Sequence, residues 1–118
     1  MQKSNPDMQE CITDCRACQD ECASMLFNHC LVEGGDHVAQ KHVKLMTDCI
    51  AICEQAADFM VRQSPMHAFI CEACAKICEA CADSCEALSD THMKKCADIC
   101  RRCAESCRKM GQAARKAA

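Results

Sequence analysis

Sixteen of the 118 residues are cysteine, and most of them are spaced as one face of a helix. Cys11, Cys15, Cys18 and Cys22 are separated by four, three and four residues, and Cys96, Cys100, Cys103 and Cys107 repeat that rhythm. Cys71, Cys74, Cys78, Cys81 and Cys85 alternate three and four throughout, Cys49 and Cys53 form a further pair, and Cys30 stands alone. Thiols at such density can cross-link, act as nucleophiles or bind soft metal ions, and the pattern has to separate these three chemistries.

Cross-linking fits poorly. Disulfide scaffolds are secreted and rich in loops, whereas these cysteines sit in helical sequence with only three Gly and two Pro in the chain. The stretch Met1-Gln2-Lys3-Ser4-Asn5-Pro6-Asp7 has no apolar core of a signal peptide and no segment approaches a membrane span, so a cytosolic chain with reduced thiols is expected. Two cysteines at i and i+4 on a helix have Cβ atoms about 5–6 Å apart, beyond the roughly 3.5–4.5 Å that a disulfide spans.

The elements that must carry these residues are read from punctuation, within a length that suits a single domain over 1–118. Asn5-Pro6 is a cap followed by Pro at the first helical position, and the pattern runs to Gly34-Gly35, predicting a helix over 6–33. Asp36 can cap a second helix over 37–63, Ser64-Pro65 opens a third over 65–88, and Ser89-Asp90 starts a fourth over 91–112. The last helix is expected to fray after Gly111 into a basic, Ala-rich tail, where Arg115 and Lys116 suit a helix C-terminus. Short connections make sequential helices antiparallel neighbours, so the fold class is all-α, an up-down-up-down four-helix bundle with a cysteine-lined core.

Carrying the spacing outward from the cysteines places Met and His above and below them. The first helix continues to Met8 on one side and to Met25 and His29 on the other; the second runs His42, Met46, Cys49, Cys53, Ala56, Met60. The third stripe starts at His67 and ends at Leu88, and the fourth adds Met93 and Met110. Cys30 falls one residue off the repeat, and the drift of a straight helix against a seven-residue repeat would turn it inward. Ile12, Ile50, Ile52, Ile70, Ile77 and Ile99 each adjoin a cysteine and are expected to seal neighbouring helices, the outermost offering an oligomer surface.

A stability role alone would predict Leu along such a seam, because cysteine is too small to fill a bundle centre and would leave voids. Thiolate with thioether selects Cu(I). Charge separates the metals further: zinc held by four thiolates leaves two negative charges at each buried site, whereas one Cu(I) per thiolate leaves none. Seven i, i+4 pairs offer two sulfurs each, and the i, i+3 gaps let a thiolate bridge successive ions. Multiple Cu(I) ions, about one per cysteine, are therefore the expected cargo.

On these residues, above all the runs Cys71 to Cys85 and Cys96 to Cys107 and the four-helix length, nearly the whole chain resembles the bacterial copper storage proteins, and within them the branch without a signal sequence. The resemblance implies a homotetramer of bundles, reversible Cu(I) binding by paired cysteines and metal admission at one end. A copper chaperone or a small thiol would be the exchange partner. The gap between Cys22 and Cys30 and the two-cysteine second helix depart from a uniform pattern.

Antiparallel topology gathers Met25, His29, Cys30, His37, His42, Met46, His92 and Met93 at one end, and Met8, Met60, His67 and Met110 at the other. The first end is expected to admit copper, with His42, His92 and Cys30 outermost and Met46 and Met93 passing metal to the cysteines. Net charge is −3 with both signs interspersed, which recommends neither nucleic acid nor an anionic membrane as partner. The alternatives are a thiolate buffer for zinc or cadmium and, less well supported, a thiol oxidoreductase. The latter needs an exposed low-pKa cysteine, and no catalytic motif is evident.

Overall fold

The computed structural model describes residues 5–117, and the side chains of residues 5–112. Four long helices make up the fold: α1 (Pro6–Met25, prolonged by further helical turns to Glu33), α2 (Gln40–Val61), α3 (His67–Glu86) and α4 (Thr91–Ala117). They form a rod of 50 × 23 × 19 Å in which each helix packs on the next and α4 closes the ring on α1.

Direction follows from which cysteines meet. Between α1 and α4, Cys11 touches Cys107, Cys15 touches Cys103 and Cys22 touches Cys96, so numbers rise in one helix as they fall in the other. Between α2 and α3, Cys49 meets Cys78 and Cys53 meets Cys74 in the same reversed order. This is the up-down-up-down bundle.

The caps are partly those the sequence predicts. Asn5 Oδ1 accepts from the Asp7 and Met8 amides at 2.9 and 3.4 Å, with Pro6 at the first helical position. Asp90 Oδ1 accepts from the Met93 amide at 2.8 Å and caps α4. Asp36 does not cap α2: Gly35–Val38 form one 3-10 turn, and α2 starts at Gln40 after Ala39, which makes no side-chain cap. Two positive-φ glycines, Gly34 and Gly35, redirect the chain before that turn, leaving Asp36 inside it. Pro65 precedes α3 rather than opening it. The Ser64 hydroxyl accepts from the Met66 amide at 3.1 Å, and the helix starts at His67. The α2 end is closed by Gln63 at φ 51, with Ser64 N–H donating to Phe59 O and Gln63 N–H to Met60 O, the bond pattern of a Schellman motif.

Two further expectations are corrected. Gly111 does not end α4, which continues to Ala117; the residue is buried, and a Cβ built there would make ordinary contacts at 3.5 Å with Ala68 O and Glu72 Cβ on α3. The placement of Arg115 and Lys116 concerns side chains outside those described. In α1, the chain does not stay regular as far as Glu33: Leu26–Cys30 is π-helical. The wider turn moves the buried face by one residue, so Leu26 and Cys30 are buried where a regular helix would present Met25 and His29. The phase of Cys30 is thus reset by a local insertion instead of gradual drift.

Buried alanines set how near the helices come. Ala75 and Ala82 on α3 and Ala97 and Ala104 on α4 are all in the core, and Ala56 and Ala57 do the same on α2. Ile12, Ile50, Ile52, Ile70, Ile77 and Ile99 pack half-buried against the cysteine column, as flanking seals. Ion pairs such as Arg16–Asp58 at 2.8 Å and Arg101–Asp83 at 3.0 Å bridge neighbouring helices from a partly solvated surface, where such pairs contribute little stability.

Candidate metal centre

Every cysteine is a free thiol with no solvent exposure. Because the three-and-four rhythm keeps one face of each helix on the axis, the sulfurs of four helices converge there. Their separations are short: 3.5 Å for Cys11–Cys107, Cys15–Cys107 and Cys22–Cys100, 3.6 Å for Cys53–Cys78 and Cys15–Cys103, and 3.7 Å for Cys18–Cys49 and Cys49–Cys78. Sulfurs of different helices thus stand in van der Waals contact along the seam. With alanine beside the cysteines, the helices approach until the sulfurs touch.

Most of the shortest contacts join different helices. Within one helix, Cys18–Cys22 stand 4.0 Å and Cys74–Cys78 3.7 Å apart. The i, i+4 pairing seen in the sequence sets each helix face, and the ligand groups form across the axis.

Four sulfur groups are dense enough to hold an ion: Cys11/Cys71/Cys107, Cys15/Cys74/Cys103/Cys107, Cys18/Cys53/Cys78/Cys103 and Cys18/Cys22/Cys49/Cys100. They are linked, because Cys107 belongs to the first two, Cys103 to the second and third, and Cys18 to the last two. Cys22 then reaches Cys96 at 3.8 Å, and Cys81, Cys85 and Cys96 adjoin one another at this level.

Beyond them lies a mixed cluster. Cys30 Sγ is 3.5 Å from His42 Nε2, 3.9 Å from Met46 Sδ and 3.7 Å from Met93 Sδ. The sequence places these four residues together, and the structure brings them into contact. His42 is held by its other ring nitrogen, 2.7 Å from the Ser84 hydroxyl, and lines an open groove of about 600 Å³ with Asp36, Lys41, Asp83 and Leu88. His92, expected beside them, is exposed and stacks on His29 instead. At the far end, Met60 and Met110 are buried, Met8 is half-buried, and His67 Nδ1 lies 2.8 Å from Ser64 O.

Burial opposes charge at the mixed cluster. Burial, with the nearby Cys96 and Asp90, pushes the Cys30 thiol up to about 11. Burial also pushes His42 below its ordinary value, leaving a neutral imidazole with a lone pair for a metal. Inside the column, contacts among touching sulfurs, such as those of Cys22 with Cys100, Cys18 and Cys49, couple the protonation of neighbouring thiols. Cys71 is drawn down to about 5 by Cys107 and Cys11, yet has no access to solvent.

Sulfur spacing alone does not choose the ion, since four sulfurs at a zinc–sulfur distance of about 2.3 Å also lie about 3.8 Å apart. Charge does. The four groups comprise twelve thiolates; one divalent ion in each leaves four buried negative charges, whereas one monovalent ion per thiolate leaves none.

Fold and site together define a four-helix bundle whose axis is a continuous thiolate column, suited to many soft ions. Residues 3–112 match the family model described as copper storage protein, and the chain belongs to that family. Among solved structures it is similar to the Nmul_A1745 protein of Nitrosospira multiformis, with 42% identity over 92% of this chain and 97% of that one and a TM-score of 0.87. It is also similar to the Cu(I)-bound copper storage protein BsCsp3, with 35% identity, 89% and 98% coverage and a TM-score of 0.82. For the apo form of copper storage protein 3 from Bacillus subtilis the values are 34%, 87% and 97%, and 0.78. No curated protein sequence matches the chain.

Proposed function

We propose that this protein stores Cu(I), holding many ions on cysteine thiolates inside the bundle, about one per cysteine. The linkage of the four sulfur groups through Cys107, Cys103 and Cys18 carries the reading, because a shared sulfur can bridge two monovalent ions without accumulating charge. Family membership and the likeness to a Cu(I)-bound relative support it. The sixteen cysteines are the proposed ligands, and Cys30, His42, Met46 and Met93 form the proposed entrance, reached from the groove beside His42. A copper chaperone or small thiol would exchange metal there.

Storage rather than catalysis is supported by burial: a nucleophilic cysteine needs access, and every sulfur is enclosed. No helix among the described residues is long and apolar enough to cross a membrane, and a cytosolic setting would keep these thiols reduced. The tetramer implied by the family is proposed here as well, supported by exposed Phe27, Leu31, Val32 and Phe69.

Anaerobic titration of reduced protein with Cu(I), read against a chromophoric chelator, tests this. Storage predicts saturation near one ion per cysteine; saturation near one per four, with tighter binding of zinc, would instead establish the zinc buffer.

A further inference from the structure

Beside the sulfur column, polar side chains meet where the connection between α1 and α2 passes the start of α4. Asp90 Oδ2 lies 2.6 Å from His37 Nε2 and 3.2 Å from His29 Nε2, and the three atoms all fall within 4.8 Å of one another. The histidine side chains are only 16% and 13% exposed, and the aspartate 32%. Their orientation is fixed from behind. Asp90 Oδ1 is engaged by the Met93 amide, the His92 ring stacks on His29 at 4.4 Å, and His37 meets His29 edge-on at 5.2 Å.

We propose that His29, His37 and Asp90 form a separate binding site for one divalent cation of the zinc class. The site shares no ligand with the thiolate column, so the proposal goes beyond copper storage.

The donor set argues for this. Two imidazole nitrogens and a carboxylate oxygen suit Zn²⁺, Co²⁺ or Ni²⁺, whereas Cu(I) is better served by the sulfurs nearby. The charge agrees too: one carboxylate under a divalent ion leaves a single positive charge at a partly solvated site, in place of the buried surplus that zinc would create among thiolates. Ligands about 2.0–2.2 Å from a tetrahedral ion stand about 3.4 Å apart. Both imidazole-to-carboxylate separations are within about 1 Å of that value. Three protein ligands leave the fourth position to water. The Met93 amide on the second carboxylate oxygen and the ring stacked on His29 are the outer contacts that orient such ligands. An ordinary ion-paired staple would also bring the carboxylate to one imidazole, but it does not call for two imidazole nitrogens aimed at the same oxygen.

The test uses untagged full-length protein loaded anaerobically with Cu(I), so that the thiolates are taken, and then titrated with Co²⁺. The expected result is one Co²⁺ per chain, with weak visible d–d bands and no sulfur-to-cobalt charge transfer. His37→Ala and Asp90→Asn should each weaken binding by about tenfold or more. Asn retains the helix cap, so Asp90→Asn keeps α4 capped while removing the charged ligand, and His67→Ala at the opposite end should leave cobalt binding unchanged. Absence of cobalt uptake, or uptake equal in wild type and His37→Ala, would overturn the site alone. A spectrum of sulfur-to-cobalt transfer only would overturn the site and also deny that Cu(I) fills the column, so the two readings fail separately.

Discussion

Cys30 Sγ lies 3.5 Å from His42 Nε2, although one residue ends the π-helical segment of α1 and the other sits in the first turn of α2. The contact needs the extra residue of the π turn, which swings Cys30 inward, and a hydroxyl from Ser84 on α3 to hold the imidazole. With Met93 from α4 also in contact with Cys30, all four helices build a small sulfur and nitrogen cluster around the thiol of the proposed entrance.

Replacing His42 with Ala should slow Cu(I) loading several-fold while changing capacity by about one ion at most, since only one of the cluster's donors is lost. Stopped-flow transfer from a Cu(I)–chelator complex measures both. Loading at the wild-type rate would rule out the groove beside His42 as the route.

Shared sulfurs should matter more than terminal ones. Cys103→Ser removes a donor common to two groups, whereas Cys71→Ser touches only the last group of the column. Expected losses are about two ions for the first and about one for the second. Equal losses, measured by metal analysis after gel filtration, would argue against bridging at Cys103.

Gly111→Ala should stabilise the metal-free protein by about 0.5–1 kcal/mol. Glycine in a helix interior is costly, and the added methyl would make ordinary contacts at 3.5 Å with Ala68 O and Glu72 Cβ. Urea denaturation under reducing conditions gives the difference. A destabilised variant would show that α3 and α4 cannot accept even a methyl at this crossing.

Asp90 makes a pH-dependent contribution. Although partial burial opposes ionisation, the Met93 amide and then His37 and His29 hold its carboxyl below the ordinary carboxylate range. A carboxyl depressed in the folded state stabilises fully above its unfolded pKa of about 3.9, and the contribution fades as pH falls toward the folded value. Metal-free Asp90→Asn should therefore be less stable than wild type at pH 6–7, about neutral, with the gap closing in acid. A gap that widens in acid would reverse the sign of the argument.

The bundle was legible because cysteine reported the inward face directly: the same residue type marks the axis on all four helices, and the three-and-four rhythm fixed which faces meet. Asn5 and Asp90 caps were legible for a similar reason, since each acts within three residues of itself. The π segment leaves only a faint signal in the sequence, steps of four from Cys22 through Leu26 to Cys30, because a regular helix drifts by about 40° at each such step. The alanine flanks were also visible, with Ala75 and Ala82, and Ala97 and Ala104, each seven residues apart. Their role depends on how closely helices approach, which spacing alone does not state. The meeting of His29, His37 and Asp90 depends on the path of a glycine-bearing connection and was beyond any periodic reading.

Cys107, Cys103 and Cys18 each stand in two sulfur groups, which gives the axis the character of a track. An ion travelling along it can make its next bond before releasing its last, passed from hand to hand and never bare. If ions enter and leave only by the proposed entrance at Cys30, both share one lane, so the copper that arrived last would be the copper that leaves first.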